Sequence, residues 1–148
     1  MNKKEQTMND YSKIEVGAFS NLTENIFQPN PDFKIDGKKF VKDELGLTSS
    51  EISFNTMEPN TAIELLHKHK ENEEIYIGVK GEGQLLLNDN YVDIKEGSVI
   101  RVATDTERAI RNNTDNLFTF IVIQAKENSF ECSTISDGYV IEKKPNWN

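Results

Sequence analysis

One cysteine, two histidines, four prolines and a single tryptophan among 148 residues leave little material for several kinds of chemistry. The lone thiol, Cys132, cannot form a disulfide within the chain, so covalent staples are excluded and a reducing, cytoplasmic setting is expected. It lies between Glu131 and Ser133 with no adjacent base, which removes the usual activation of a thiol nucleophile. No apolar run approaches the roughly 18 residues of a membrane helix. The best candidate, residues 117–125, has only strand length. Basic charge is also scarce: Lys plus Arg total 17 against 25 acidic residues, a net charge of −8. That balance opposes nucleic acid and anionic membranes as partners, although a local basic pocket for a small anion stays open. The stretch from Met1 to Gln6 lacks the apolar centre of a secretory signal.

What is present is β-forming. Short runs rich in Val, Ile, Phe, Tyr and Thr recur near every ten residues, separated by Gly, Asn, Asp and Pro. Strands are expected at 13–19, 39–42, 51–57, 62–69, 74–80, 83–87, 91–94, 98–102, 108–112 and 118–124, with another at 139–142. Lys80-Gly-Glu-Gly83 and Leu87-Asn-Asp-Asn90 read as hairpin turns, since Gly and Asn tolerate positive φ. Thr48-Ser-Ser-Glu51 has the form of a helix capping box, but the alternating Ile52, Phe54 and Thr56 behind it favour a strand. Pro29-Asn-Pro-Asp32 breaks the chain between an N-terminal arm and the rest. The length suits one domain. Residues 1–12 read as a tail, 13–142 as the domain and 143–148 as a second tail. Many short antiparallel strands without long helices imply a closed sandwich or barrel.

Both histidines sit in His67-Lys-His69. Two apart on a strand, they project from one face and can aim their imidazoles at a common point. Glu71-Asn-Glu-Glu74 follows at once, and a carboxylate added to two nitrogens suits Fe, Mn, Ni, Co or Zn better than Ca or Mg. A turn before the next strand resets the alternation, so parity alone does not select among Glu71, Glu73 and Glu74. Tyr76, two residues beyond Glu74, should share its face and line the same hollow. Arg101 and Lys80 read as surface charges.

The spacing His67-x-His69-x4-Glu74-x6-Gly81 resembles the first signature of the cupins, and the glycine that usually opens it is Thr61 here. The stretch from Asn88 through Gly97 resembles the link to the second signature. The resemblance covers about 65 residues, 59–124, and implies an all-β, single-domain cupin-type β-barrel, a double-stranded β-helix or jelly roll with an N-terminal arm. It selects Glu74 as the carboxylate, makes His67, His69 and Glu74 the implied ligands of a divalent transition metal, and implies a homodimer. The second signature departs from the family pattern. Its histidine position holds Arg108, while its asparagine is kept as Asn112.

A guanidinium stays protonated and has no lone pair, so Arg108 cannot replace an imidazole ligand. Two unit charges about 4 Å apart repel by roughly 4 kcal/mol at an effective dielectric near 20, and a divalent ion doubles that. Three arrangements follow. Arg108 and Tyr76 could serve as catalytic groups beside a metal, Arg108 orienting an anionic substrate. Arg108 could instead pair with Glu74 in a metal-free pocket that binds or senses a small ligand. A local bulge could turn Asp105 or Glu107 inward as an oxygen ligand. The expected partner throughout is a small, anionic or sugar-like molecule. The resemblance leaves oxygenase, isomerase and decarboxylase chemistry undivided.

Overall fold

The computed structural model describes residues 11–132 and 134–147. Eleven strands form three antiparallel sheets among the described residues: β1 (Ile26–Asn30), β2 (Phe33–Asp36), β3 (Lys38–Phe40), β4 (Glu51–Met57), β5 (Thr61–His67), β6 (Asn72–Lys80), β7 (Glu82–Leu87), β8 (Asn90–Lys95), β9 (Val99–Val102), β10 (Arg108–Asn112) and β11 (Phe118–Lys126). One sheet runs β3-β4-β11-β6-β9, a second runs β5-β10-β7-β8, and β1-β2 stands as a separate hairpin. Two short helices, α1 (Lys42–Leu45) and α2 (Thr134–Asp137), and a 3-10 turn at Phe19–Glu24 complete the elements. None is long or apolar enough to cross a membrane as a helix.

Alternation along the strands closes the barrel. On β11, Phe118, Phe120 and Val122 point inward, where they meet Tyr76 from β6, Leu85 from β7, Ile94 from β8 and Ile110 from β10. The core thus draws on both large sheets, which is what holds them face to face. Removing one such ring, as in Phe118→Ala, would cost about 3–5 kcal/mol. The outer side of β4 and β11 is covered by the N-terminal arm. Leu22 of the 3-10 turn is buried there, and the buried Thr56 hydroxyl bonds to the Phe19 carbonyl at 2.7 Å.

The expected barrel and most of its strands are present. The arm is where the structure differs. Residues 13–19 form no strand; the edge of β4 is taken by β3, and the chain runs into the 3-10 turn that packs on the outer face of β4. Pro29-Asn-Pro-Asp32 ends β1 and makes the turn of the β1-β2 hairpin at Pro31 and Asp32, with Asp32 N–H donating to Asn30 Oδ1 at 3.0 Å, and is not a plain break. The strand expected at 39–42 stops at Phe40 and gives way to α1, its start fixed by the buried Val41. No strand forms at 139–142; β11 ends at Lys126, and Tyr139 and Val140 in the tail beyond it are exposed. Of the expected N-terminal tail, residues 1–10 lie outside the described residues, as do Ser133 and Asn148.

The two glycines of the Lys80–Gly83 hairpin have different reasons. Gly81 turns the chain at φ 75°, a region that side chains avoid. Gly83 has no positive φ; a Cβ there would run into the Phe118 ring and the Arg111 carbonyl. Gly83→Ala is therefore expected to lower stability by about 2–3 kcal/mol through overpacking. Urea denaturation of the variant measures the loss.

Candidate metal centre and its cavity

β5 brings His67 to the rim of the four-stranded sheet, and residues 68–71 turn the chain into β6 of the facing sheet. Along β6, Glu74, Tyr76 and Gly78 point inward while Glu73 and Ile75 face out. This settles the parity that the turn left open. Glu73 is held on the outside by Arg101, and Glu71 by Lys126 at 3.5 Å. The expected strand to residue 69 ends at His67, so His69 is placed by the following loop, its N–H donating to the Thr104 carbonyl at 3.1 Å.

The three side chains nonetheless converge, with one ligand atom from each of His67, His69 and Glu74 lying within 4.8 Å of the others. His69 Nε2 is 3.2 Å and His67 Nε2 4.0 Å from Glu74 Oε1. The same oxygen accepts hydrogen bonds from Arg108 Nη1 at 2.8 Å and from the Tyr76 hydroxyl at 3.2 Å. Exposure falls inward: 41% for the His67 side chain, 22% for His69, 7% for Glu74 and 0% for Arg108. Burial lowers the His67 pKa, opposed by Glu74 and a hydrogen bond with the Leu65 backbone, so the ring is neutral around pH 7 and keeps a lone pair for a ligand. The Tyr76 hydroxyl is pushed up by burial and by Glu74, so it stays a donor.

His69 Nε2 is buried and has no hydrogen-bond partner among the described residues. It lies close to Glu74 without the alignment of a hydrogen bond, which is the state of a nitrogen whose partner would be a third body between ring and carboxylate. The donor set of two nitrogens and one oxygen fits a borderline divalent ion. Arg108 works against affinity, since its charge offsets that of Glu74 before any ion arrives.

Arg108 lies on β10 opposite His67. Its Nε donates to the Thr106 carbonyl at 3.1 Å, and Nη2 reaches the carbonyls of Ala103, Thr104 and Thr106. Of the three arrangements open to the sequence, the geometry is that of Arg108 paired with Glu74. Asp105 and Glu107 are exposed, so neither is an inward ligand; β10 does shift register between Arg108 and Ile110, but without turning them in.

The cluster forms one end of a cavity of about 290 Å³. Phe27, Phe33, Phe40, Ile63, Leu65 and Phe120 make much of its wall, and Arg108 is not among the lining residues. A cation that the spacing motifs do not touch also lines it. Lys38, on β3, donates to Ser53 Oγ at 3.1 Å and Asn55 Oδ1 at 3.0 Å, with its ammonium 4.9 Å from the centre of the Phe40 ring. Burial lowers its pKa to about 8 against the pull of Glu74 and Glu51. Alternation could have found it: Lys38 and Phe40 share a strand face, and Phe40 belongs inside.

Two antiparallel sheets closed around an apolar hollow, with a His-His-Glu group that could hold a metal ion at one end, have the small β-barrel architecture of the cupin class. The family model of the cupin domain matches residues 53–124, and the chain belongs to the cupin superfamily. A cupin protein from Bacteroides fragilis is 29% identical with a TM-score of 0.75, over 90% of this chain and 99% of that one. A predicted oxalate decarboxylase from Thermotoga maritima is 22% identical at TM-score 0.55, over 64% of this chain and 82% of that one. A sugar phosphate isomerase of the cupin superfamily from Silicibacter pomeroyi is 19% identical at TM-score 0.55, over 78% and 69% of the two chains. These last two likenesses are of fold. No curated protein matches the chain in sequence.

Two outcomes follow from the charges. Arg108→Met leaves Glu74 buried beside no cation and should cost about 3–5 kcal/mol, most of which returns in the Glu74→Leu/Arg108→Met double variant; urea denaturation of all four proteins checks this. Between about pH 8 and 10.5 the unfolded chain keeps a proton on Lys38 that the folded chain has released. Stability should therefore rise with pH across that window relative to Lys38→Met, as read from paired denaturation curves.

Proposed function

We propose that this protein is a small-molecule enzyme whose cavity holds a divalent transition metal, Fe, Mn, Ni, Co or Zn, on His67, His69 and Glu74. The observation that carries the reading is the buried, unpartnered His69 Nε2 facing Glu74 and a neutral His67. When bound, such an ion supplies Lewis acidity toward a ligand oxygen. The chain's own groups do the rest. Arg108 and the Tyr76 hydroxyl fix Glu74 Oε1, and so act as positioning groups. The aromatic wall excludes water and receives the apolar part of a ligand. Which of oxygenase, isomerase or decarboxylase chemistry follows depends on the substrate.

The 2.8 Å contact between Arg108 and Glu74 favours a second reading, a metal-free module that binds or senses a small ligand. Metal content separates the two. Protein purified without added metal should carry near-stoichiometric ion and lose thermal stability on chelation under the first reading, and do neither under the second. Arg108→His should tighten metal binding by about tenfold or more by removing a cation and adding an imidazole beside His67, and His69→Ala should abolish it. Titrations followed by calorimetry read both, and unchanged affinity in Arg108→His would place residue 108 outside the centre.

A further inference from the structure

Among the described residues, Lys38 is the one lysine or arginine that lines the cavity. Its ammonium makes no ion pair within 4.0 Å among the described residues, whereas Arg108 is matched by Glu74 and Arg101 by Glu73 and Glu127. Both of its hydrogen-bond partners, Ser53 Oγ and Asn55 Oδ1, are neutral, and they use two of its three donors. Much of the surrounding wall is aromatic and aliphatic, and the two carboxylates that line the same cavity, Glu51 and Glu74, act on the ammonium through space without an ion pair. A cation held against apolar surface with only neutral acceptors is poorly compensated, and an anion delivered by a ligand would complete it. The polar partners come from β4, which pairs with β3 across Lys38 and Asn55, so the ammonium is positioned by the ladder and not by a loose loop.

Resting on the reading of this cavity as a ligand site, we propose that Lys38 is the anchor for the carboxylate of its ligand, a small monocarboxylic acid with an aryl or alkyl body. The acid head meets the third N–H of Lys38, and the body lies along Phe27, Phe33, Phe40 and Phe120. A volume of about 290 Å³ suits a single ring or a short chain and is small for a sugar nucleotide. Burial lowers the pKa of Lys38 while Glu74 and Glu51 pull it the other way from a distance.

The matched pair phenylpropionate and phenylpropanol tests this by isothermal titration calorimetry at pH 6.5 on the protein as isolated. The acid should bind at least about tenfold more tightly than the alcohol, the scale of one charge-assisted hydrogen bond. Lys38→Met should bring the acid to within about twofold of the alcohol. Lys38→Gln, which keeps a polar side chain without the charge, should behave the same and serves if the methionine variant folds poorly. Equal binding of the two compounds by the unmodified protein would overturn the proposal and leave the cavity a ligand site. So would a preference for the acid that survives in both variants, which would move the anion to the metal centre. Failure of both compounds to bind would remove the ligand-site reading and the proposal with it.

Discussion

The guanidinium of Arg108 ties three separate stretches of chain together. It grips Glu74 of the opposite sheet, and it accepts the geometry of the 103–106 loop by donating to three of its carbonyls. One of those carbonyls, Thr104, also receives the N–H that places His69. A fully buried charge with one carboxylate and several carbonyl partners is stable only while all of them stay in place. The position of both histidines relative to Glu74 therefore inherits its rigidity from a residue that coordinates nothing. The family's usual histidine would bind an ion directly; here the same corner is held without one.

Around this tie the cavity divides into two chemical ends. At one, three potential ligand atoms cluster beneath a partly open imidazole. At the other, an ammonium rests over Phe40 and against Ser53 and Asn55. The aromatic wall between them gives a ligand area to bury and a dielectric low enough to make each polar contact count. Glu74 and Glu51 reach Lys38 only through space, so the two ends are electrostatically aware of each other without touching.

Much of this was legible in the sequence, and the limits have physical causes. The His67, His69, Glu74 and Gly81 spacing is local and tied to a hairpin with fixed geometry, so it carried both the architecture and the cluster. Inward placement of Tyr76 followed from a period of two. The pairing of Arg108 with Glu74 was one of three arrangements the sequence left open, because β10 and β6 lie in different sheets and only closure of the barrel brings their side chains within hydrogen-bonding distance. The arm was misread for a related reason. Alternation at 13–19 is compatible with a strand, but the edge of β4 is taken by β3 and the chain leads instead into the 3-10 turn on the outer face of β4. Conversely, Pro29 and Pro31 disguised a real hairpin that has no third strand to protect its ladder. Lys38 was hidden by its neighbour Lys39, two identical residues of which one faces Glu44 on the surface and the other faces the interior.

The hollow is walled partly by residues that precede the barrel proper. Phe27, Phe33, Ile35, Lys38 and Phe40 all come before residue 53, where the match to the cupin domain begins, while His67, His69 and Glu74 fall inside it. One side of the wall and the His-His-Glu group thus lie on different lengths of the polypeptide. The arm shapes one side of the hollow, whereas the three side chains at its far end and their arginine brace belong to the barrel.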